Sequence, residues 1–207
     1  MGETIHSENS SYNENLHIRE SHNCYTYFLN LKSKHAYLVC KKNFHKQNMC
    51  YRPQPGYASG HSPIKKDRDY NCKNVMKRTL KDNIHMYKIN NFERKCPKDY
   101  YKGAVVVAPG RDFHYYREND NGIWTHKPGY KPSTNLDSNN IPIKNPEKSN
   151  RNYGHDSKGE LNYKDFCGFV CVPRDRTKKN MKMYSEVNKK SNKNKNRIKN
   201  PIKIKTE

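Results

Sequence analysis

The chain has 207 residues and a formal net charge of +21, and only 32% of its residues are hydrophobic. That length gives room for one domain of about 150 residues plus tails. No segment approaches the run of about 18 apolar residues that a membrane-spanning helix needs, and no apolar stretch follows a basic start as in a secretory leader.

Residues 1–20, rich in Ser, Asn and Glu, read as a flexible lead-in. The domain is expected over 21–176. It opens on Ser21-His22-Asn23-Cys24-Tyr25, where Ser21 or Asn23 can cap a helix that begins at or near Cys24. Tyr27, Phe28 and Leu31 then form an apolar face able to dock on a sheet. A thiol at a helix start feels the positive end of the helix dipole, which favours the thiolate and so makes a nucleophile. The opposing reading is a small buried cysteine that only fills space.

Residues 32–100 are turn-rich, and Gln54–Gly60 reads as a loop over a cleft. Residues 71–83 place Val75, Met76, Thr79 and Leu80 on one face of a second helix. Lys102–Ala108 is a continuous apolar strand, followed by a turn at Gly110-Arg111-Asp112 and a hairpin closed by Glu118-Asn119-Asp120-Asn121-Gly122. A tight turn there predicts His114 opposite His126 and Tyr116 opposite Trp124, all four on one face. Phe166–Val172 is the last strand, stopped by Pro173. A helix followed by mostly antiparallel strands gives an α+β class.

From Thr177 to Glu207 eleven Lys and Arg face only Glu186 and Glu207, which predicts a disordered, self-repelling tail. Such a tail can hold a polyanion, nucleic acid or an anionic membrane surface, through counterion release. The seven cysteines, at 24, 40, 50, 72, 96, 167 and 171, are odd in number and contain no C-x-x-C pair. Cys167 and Cys171, four residues apart on one strand face, lie too far from each other to share a zinc. A zinc site from Cys40, His45 and Cys50 is the alternative to reduced thiols, the simpler account for a cytoplasmic or nuclear chain. No cofactor motif is present in the sequence.

The segments Cys24-Tyr-Thr-Tyr-Phe-Leu29, Asp112-Phe-His-Tyr-Tyr-Arg117, Gly122-Ile-Trp-Thr-His-Lys-Pro-Gly129, Thr134-Asn-Leu-Asp137 and Phe166-Cys-Gly-Phe-Val-Cys-Val-Pro173 resemble a family of small bacterial and large-DNA-virus proteins. That family is similar to the papain-like NlpC-type cysteine peptidases, and the resemblance covers roughly residues 22 to 173. It implies a papain-like fold with Cys24 as nucleophile, His114 as base and His126 as orienter. The implied activity is a thiol hydrolase or acyltransferase acting on an amide or ester in a peptide, an isopeptide, a peptidoglycan-like stem or a lipid. Asn23-Cys24-Tyr25 departs from the family's usual small residues after the nucleophile, and no oxyanion donor can be matched. Two alternatives stand beside it. One is a basic nucleic-acid-binding protein, on its charge, sixteen tyrosines and Trp124. The other is an inactive papain-like interaction domain, which a buried Cys24 would favour.

Overall fold

The computed structural model describes residues 11–47, 50–65 and 67–182. Helices come first, among them α1 (Leu16–Ser21), α2 (Cys24–Phe28), α3 (Lys34–Gln47) and α4 (Cys72–Asp82). Strands β1 (Tyr87–Ile89), β2 (Tyr100–Ala108), β3 (Asp112–Glu118), β4 (Trp124–His126), β5 (Asn152–Asp156), β6 (Gly159–Asn162) and β7 (Asp165–Pro173) follow. Asparagine side chains start the short helices. Asn23 Oδ1 accepts from Thr26 N at 3.3 Å and Asn71 Oδ1 from Asn74 N at 2.9 Å, each satisfying a backbone donor that the first helical turn leaves open.

A five-stranded sheet has the order β1-β7-β2-β3-β4 with antiparallel neighbours, and β5 and β6 form a separate hairpin. The alternation of side chains along the strands builds two cores. On one face Val105, Val107, Tyr115 and Val170 pack against Tyr25 and Phe28 of α2 and Val75 and Met76 of α4. On the other, Ala104, Val106, Tyr116, Trp124 and Phe169 meet Ile143 and Tyr163. Full burial of each large apolar side chain contributes about 1.5–3 kcal/mol, so α2 and α4 are held mainly by the sheet rather than by their own short lengths. The fold is thus α+β, with helices on one face of an antiparallel sheet.

The hairpin register differs from the sequence expectation. Tyr116 pairs with His126 and Glu118 with Trp124, a slip of two residues from the predicted pairs. The connection runs longer than a tight turn, from Asn119 to Ile123: Asn119 N donates to Ile123 O, Gly122 N donates to Asn119 O, and Gly122 takes a positive φ of 77°. An even slip keeps every side chain on its predicted face, so His114 and His126 become diagonal neighbours.

The cysteines correct the reading of reduced thiols. Cys40–Cys50, Cys72–Cys167 and Cys96–Cys171 are disulfides, and Cys24 alone is free. Cys40 and Cys50 of the zinc alternative are therefore bonded to each other. Cys167 and Cys171 do not share a face, because Val105 pairs with Gly168 but Val106 with Phe166, which makes Cys167 the extra residue of a β-bulge. Cys167 turns to the helical side and Cys171 to the other.

Both domain edges carry more structure than expected. In the segment read as a lead-in, Asn15 caps α1 by accepting from His17 N and Ile18 N, and Tyr12 is buried. At the other edge residues 177–182 dock on the domain: Asn180 N donates to Asn83 Oδ1 at 2.8 Å and Lys179 is buried. The rest of the basic tail, with its polyanion reading, lies outside the described residues. Among the described residues no helix is long and apolar enough to cross a membrane.

Candidate functional site

Cys24 is the first residue of α2, and the docking of Phe28 and Tyr25 on β3 presses it against that strand. It is 4% exposed, and its Sγ donates to the Phe113 carbonyl at 3.8 Å. Burial pushes the thiol above the ordinary cysteine range and the Asp112 carboxylate adds to this, while Lys127 and the N–H groups of Tyr115 and Tyr25 pull the other way. The expected lowering by the helix dipole is outweighed, because α2 has only five residues and the sulfur has left water.

His114 comes from the middle of β3 and His126 from the end of β4, where a bridge to Thr134 continues the ladder. His114 Nε2 and His126 Nδ1 are 2.7 Å apart, and His126 Nε2 lies 2.9 Å from the Leu136 carbonyl. A carbonyl only accepts, so these partners assign the protons in turn. His126 carries its hydrogen on Nε2 and accepts at Nδ1; His114 donates from Nε2 and keeps a lone pair at Nδ1. Burial holds both rings neutral, pushing His126 down to about 4 and His114 well below its ordinary value, the latter with help from His126.

Cys24 and His114 line one cavity of about 430 Å³, while His126 stands behind His114. Gln54 and Tyr57 of the predicted cleft loop also line it. That loop is anchored by Asp82, which accepts from Gly56 N and Ser59 N at 2.7 Å each and from Tyr25 OH at 3.0 Å. The structure therefore brings the three sequence-predicted residues into one neighbourhood. Among the described residues, however, no hydrogen bond joins the thiol to an imidazole.

Two further groups carry charge into this neighbourhood, and sequence reasoning gave neither a role. Asp112 lines the cavity; its carboxylate accepts from Tyr163 OH at 2.7 Å and Phe113 N at 2.8 Å, and burial raises its acid range against the pull of the Tyr163 bond. Lys127 is 0% exposed, and its Nζ donates to the carbonyls of Arg19 and Gly129 at 2.7 Å each. Burial, aided by Arg52, pushes its ammonium down to about 7, with Cys24 and Glu20 opposing. The only signal in the sequence was their place, one at the head of β3 and one directly after His126. Among the described residues no group of three or more His, Cys, Asp or Glu side chains is placed to hold a metal.

No protein-family model matches the chain, and no solved structure matches it. It is similar to insoluble matrix shell protein 1 of Ruditapes philippinarum, with 29% identity over 160 residues that span 77% of this chain and 85% of that protein.

Proposed function

We propose that the chain is a papain-like thiol hydrolase or acyltransferase that works through Cys24, His114 and His126. The observation that carries this reading is the tautomer chain: Leu136 fixes His126, His126 fixes His114 with its lone pair at Nδ1, and His114 lines the cavity that Cys24 also lines. In the reaction the thiol turns from the Phe113 carbonyl to His114 Nδ1, which takes its proton. The sulfur then attacks an amide or ester carbonyl. His114 returns the proton to the leaving group, and water or a second acceptor resolves the thioester. The substrate is a peptide, an isopeptide, a peptidoglycan-like stem or a lipid ester.

Labelling with electrophilic peptide and lipid-ester probes tests this. Probe label is expected on Cys24, lost in Cys24→Ser and reduced at least tenfold in His114→Ala, a loss in the range of positioned acid–base catalysis. Label that is indifferent to His114 sinks the mechanism.

A second reading, a papain-like interaction domain without catalysis, draws on the closed thiol and on the likeness to an insoluble matrix protein. Under it the same probes leave Cys24 unmodified while the chain partitions into an insoluble matrix. Either reading sits better in an oxidising compartment than in the cytoplasm or nucleus, because three disulfides require one to persist.

A further inference from the structure

Among the described residues Lys127 is the most enclosed cation, 0% exposed where Arg117 keeps 2% and Lys179 5%. Removing an ammonium from water is costly, and the two carbonyls that receive its Nζ offset only part of that cost. Gly129, which supplies one of those carbonyls, belongs to the wall of the cavity that Cys24 lines. Asp112 reaches the same cavity from β3, one residue before the Phe113 carbonyl that receives the thiol. A buried cation and a half-buried carboxylate thus flank one buried thiol, whose removal from water lets charges act over longer range.

We propose that Lys127 and Asp112 are positioning residues of opposite sign that set how readily Cys24 ionises, Lys127 favouring the thiolate and Asp112 opposing it. The purpose of such control rests on the acyl-transfer reading, but the ionisation itself is measurable without turnover. The groups that face the thiol or share its cavity come from several elements: Asp112, the Phe113 carbonyl, the His114 imidazole and the Tyr115 N–H on β3, the Tyr25 N–H on α2, Lys127 beyond β4, and the phenols of Tyr115 and Tyr163. Lys127 in turn faces Arg52, Arg19, Glu20 and His22. Arg52 and Arg19 disfavour its charge, whereas a thiolate at Cys24 favours it. Loss of the proton at sulfur and its retention at Nζ therefore support each other.

The rival account is a structural pin, in which Lys127 only ties the end of α1, through Arg19, to the turn at Gly129. The rate of Cys24 alkylation by iodoacetamide against pH, with the disulfides intact, separates the two. Removing the cation in Lys127→Gln, which can still donate to both carbonyls, is expected to raise the midpoint. A rise of one pH unit slows alkylation about tenfold at a fixed pH below the midpoint. Asp112→Asn is expected to lower the midpoint and speed alkylation by a similar factor, and Lys127→Arg to keep the native profile. An unmoved midpoint in either neutral variant overturns the proposal. If Lys127→Gln does not fold, Asp112→Asn decides alone, and an unmoved or raised midpoint there overturns it. Failure of the acyl-transfer reading has a different signature: ester and amide probes leave no label while both midpoints shift as expected.

Discussion

His126 uses both of its ring nitrogens on fixed partners, which leaves the folded protein little room for a second proton on that ring. His22 is held in the same way: Nδ1 contacts Ser21 Oγ at 2.8 Å and Ile18 O at 3.0 Å, and Nε2 accepts from Ser33 N at 2.9 Å. Burial pushes each of these rings down to about 4. Unfolding frees them to titrate near 6.5, so between 6.5 and 4 the unfolded chain holds more protons than the folded one. The sign follows: nothing is lost above 6.5, and stability falls as pH falls through this window, by on the order of 3 kcal/mol for each ring. Urea unfolding at pH 7.5 and 4.5 checks this, with a clearly lower midpoint expected at pH 4.5. A pH-independent midpoint would mean that these imidazoles take up protons inside the fold.

At the scale of elements, α2 decides where Cys24 sits, and Gly103 decides where α2 sits. A Cβ at Gly103 would meet Phe28 Cε2 at 2.3 Å, and Phe28 is boxed in by Tyr115 with ring centroids 4.8 Å apart. Gly103→Ala must therefore lift the five-residue helix, at a cost of about 1–3 kcal/mol. Equilibrium unfolding is expected to show that loss, and Cys24 is expected to alkylate faster as α2 rises; unchanged values of both would mean that α2 is not seated on Gly103. Much of this layer was legible in advance. The cap at Ser21 or Asn23 announced α2, the apolar face of Val75, Met76, Thr79 and Leu80 announced α4, the apolar runs announced β2 and β7, and the turn after Glu118 announced β3, because each signal is local. The shared face of His114 and His126 was also legible, since face depends on parity and the register slipped by two. Exact pairing was not legible, because it depends on the length of the connection after Glu118. Nor was the opposite facing of Cys167 and Cys171, which depends on the bulge at Cys167, next to Gly168, where φ is 127°. Asp112 and Lys127 escaped notice for a different reason: whether a charged side chain is enclosed depends on what distant segments lay over it.

Across the whole molecule, disulfides reinforce a core that must hold together a chain of +21 formal charge. Two of them clamp β7 from opposite sides. Cys167 is tied to Cys72 at the start of α4, and Cys171 to Cys96 ahead of β2. These links close loops with sequence separations of 95 and 75, whereas Cys40–Cys50 spans only 10. The entropy removed from the unfolded chain grows with the logarithm of loop length, giving about 4–5 kcal/mol for each long loop and about 3 for the short one. Paired Cys72→Ala and Cys167→Ala is thus expected to lower unfolding stability by about 2 kcal/mol more than paired Cys40→Ala and Cys50→Ala. Urea denaturation of the two variants measures the difference. Equal losses would show that local strain or packing, rather than chain entropy, governs what the crosslinks contribute. The long clamps also bear on the site, since β7 lies beside β2, β2 carries β3, and β3 holds both His114 and the carbonyl that receives the Cys24 thiol. Loosening β7 is accordingly expected to raise the rate of Cys24 alkylation in the Cys72/Cys167 variant, an effect that a purely local role for that disulfide would not produce.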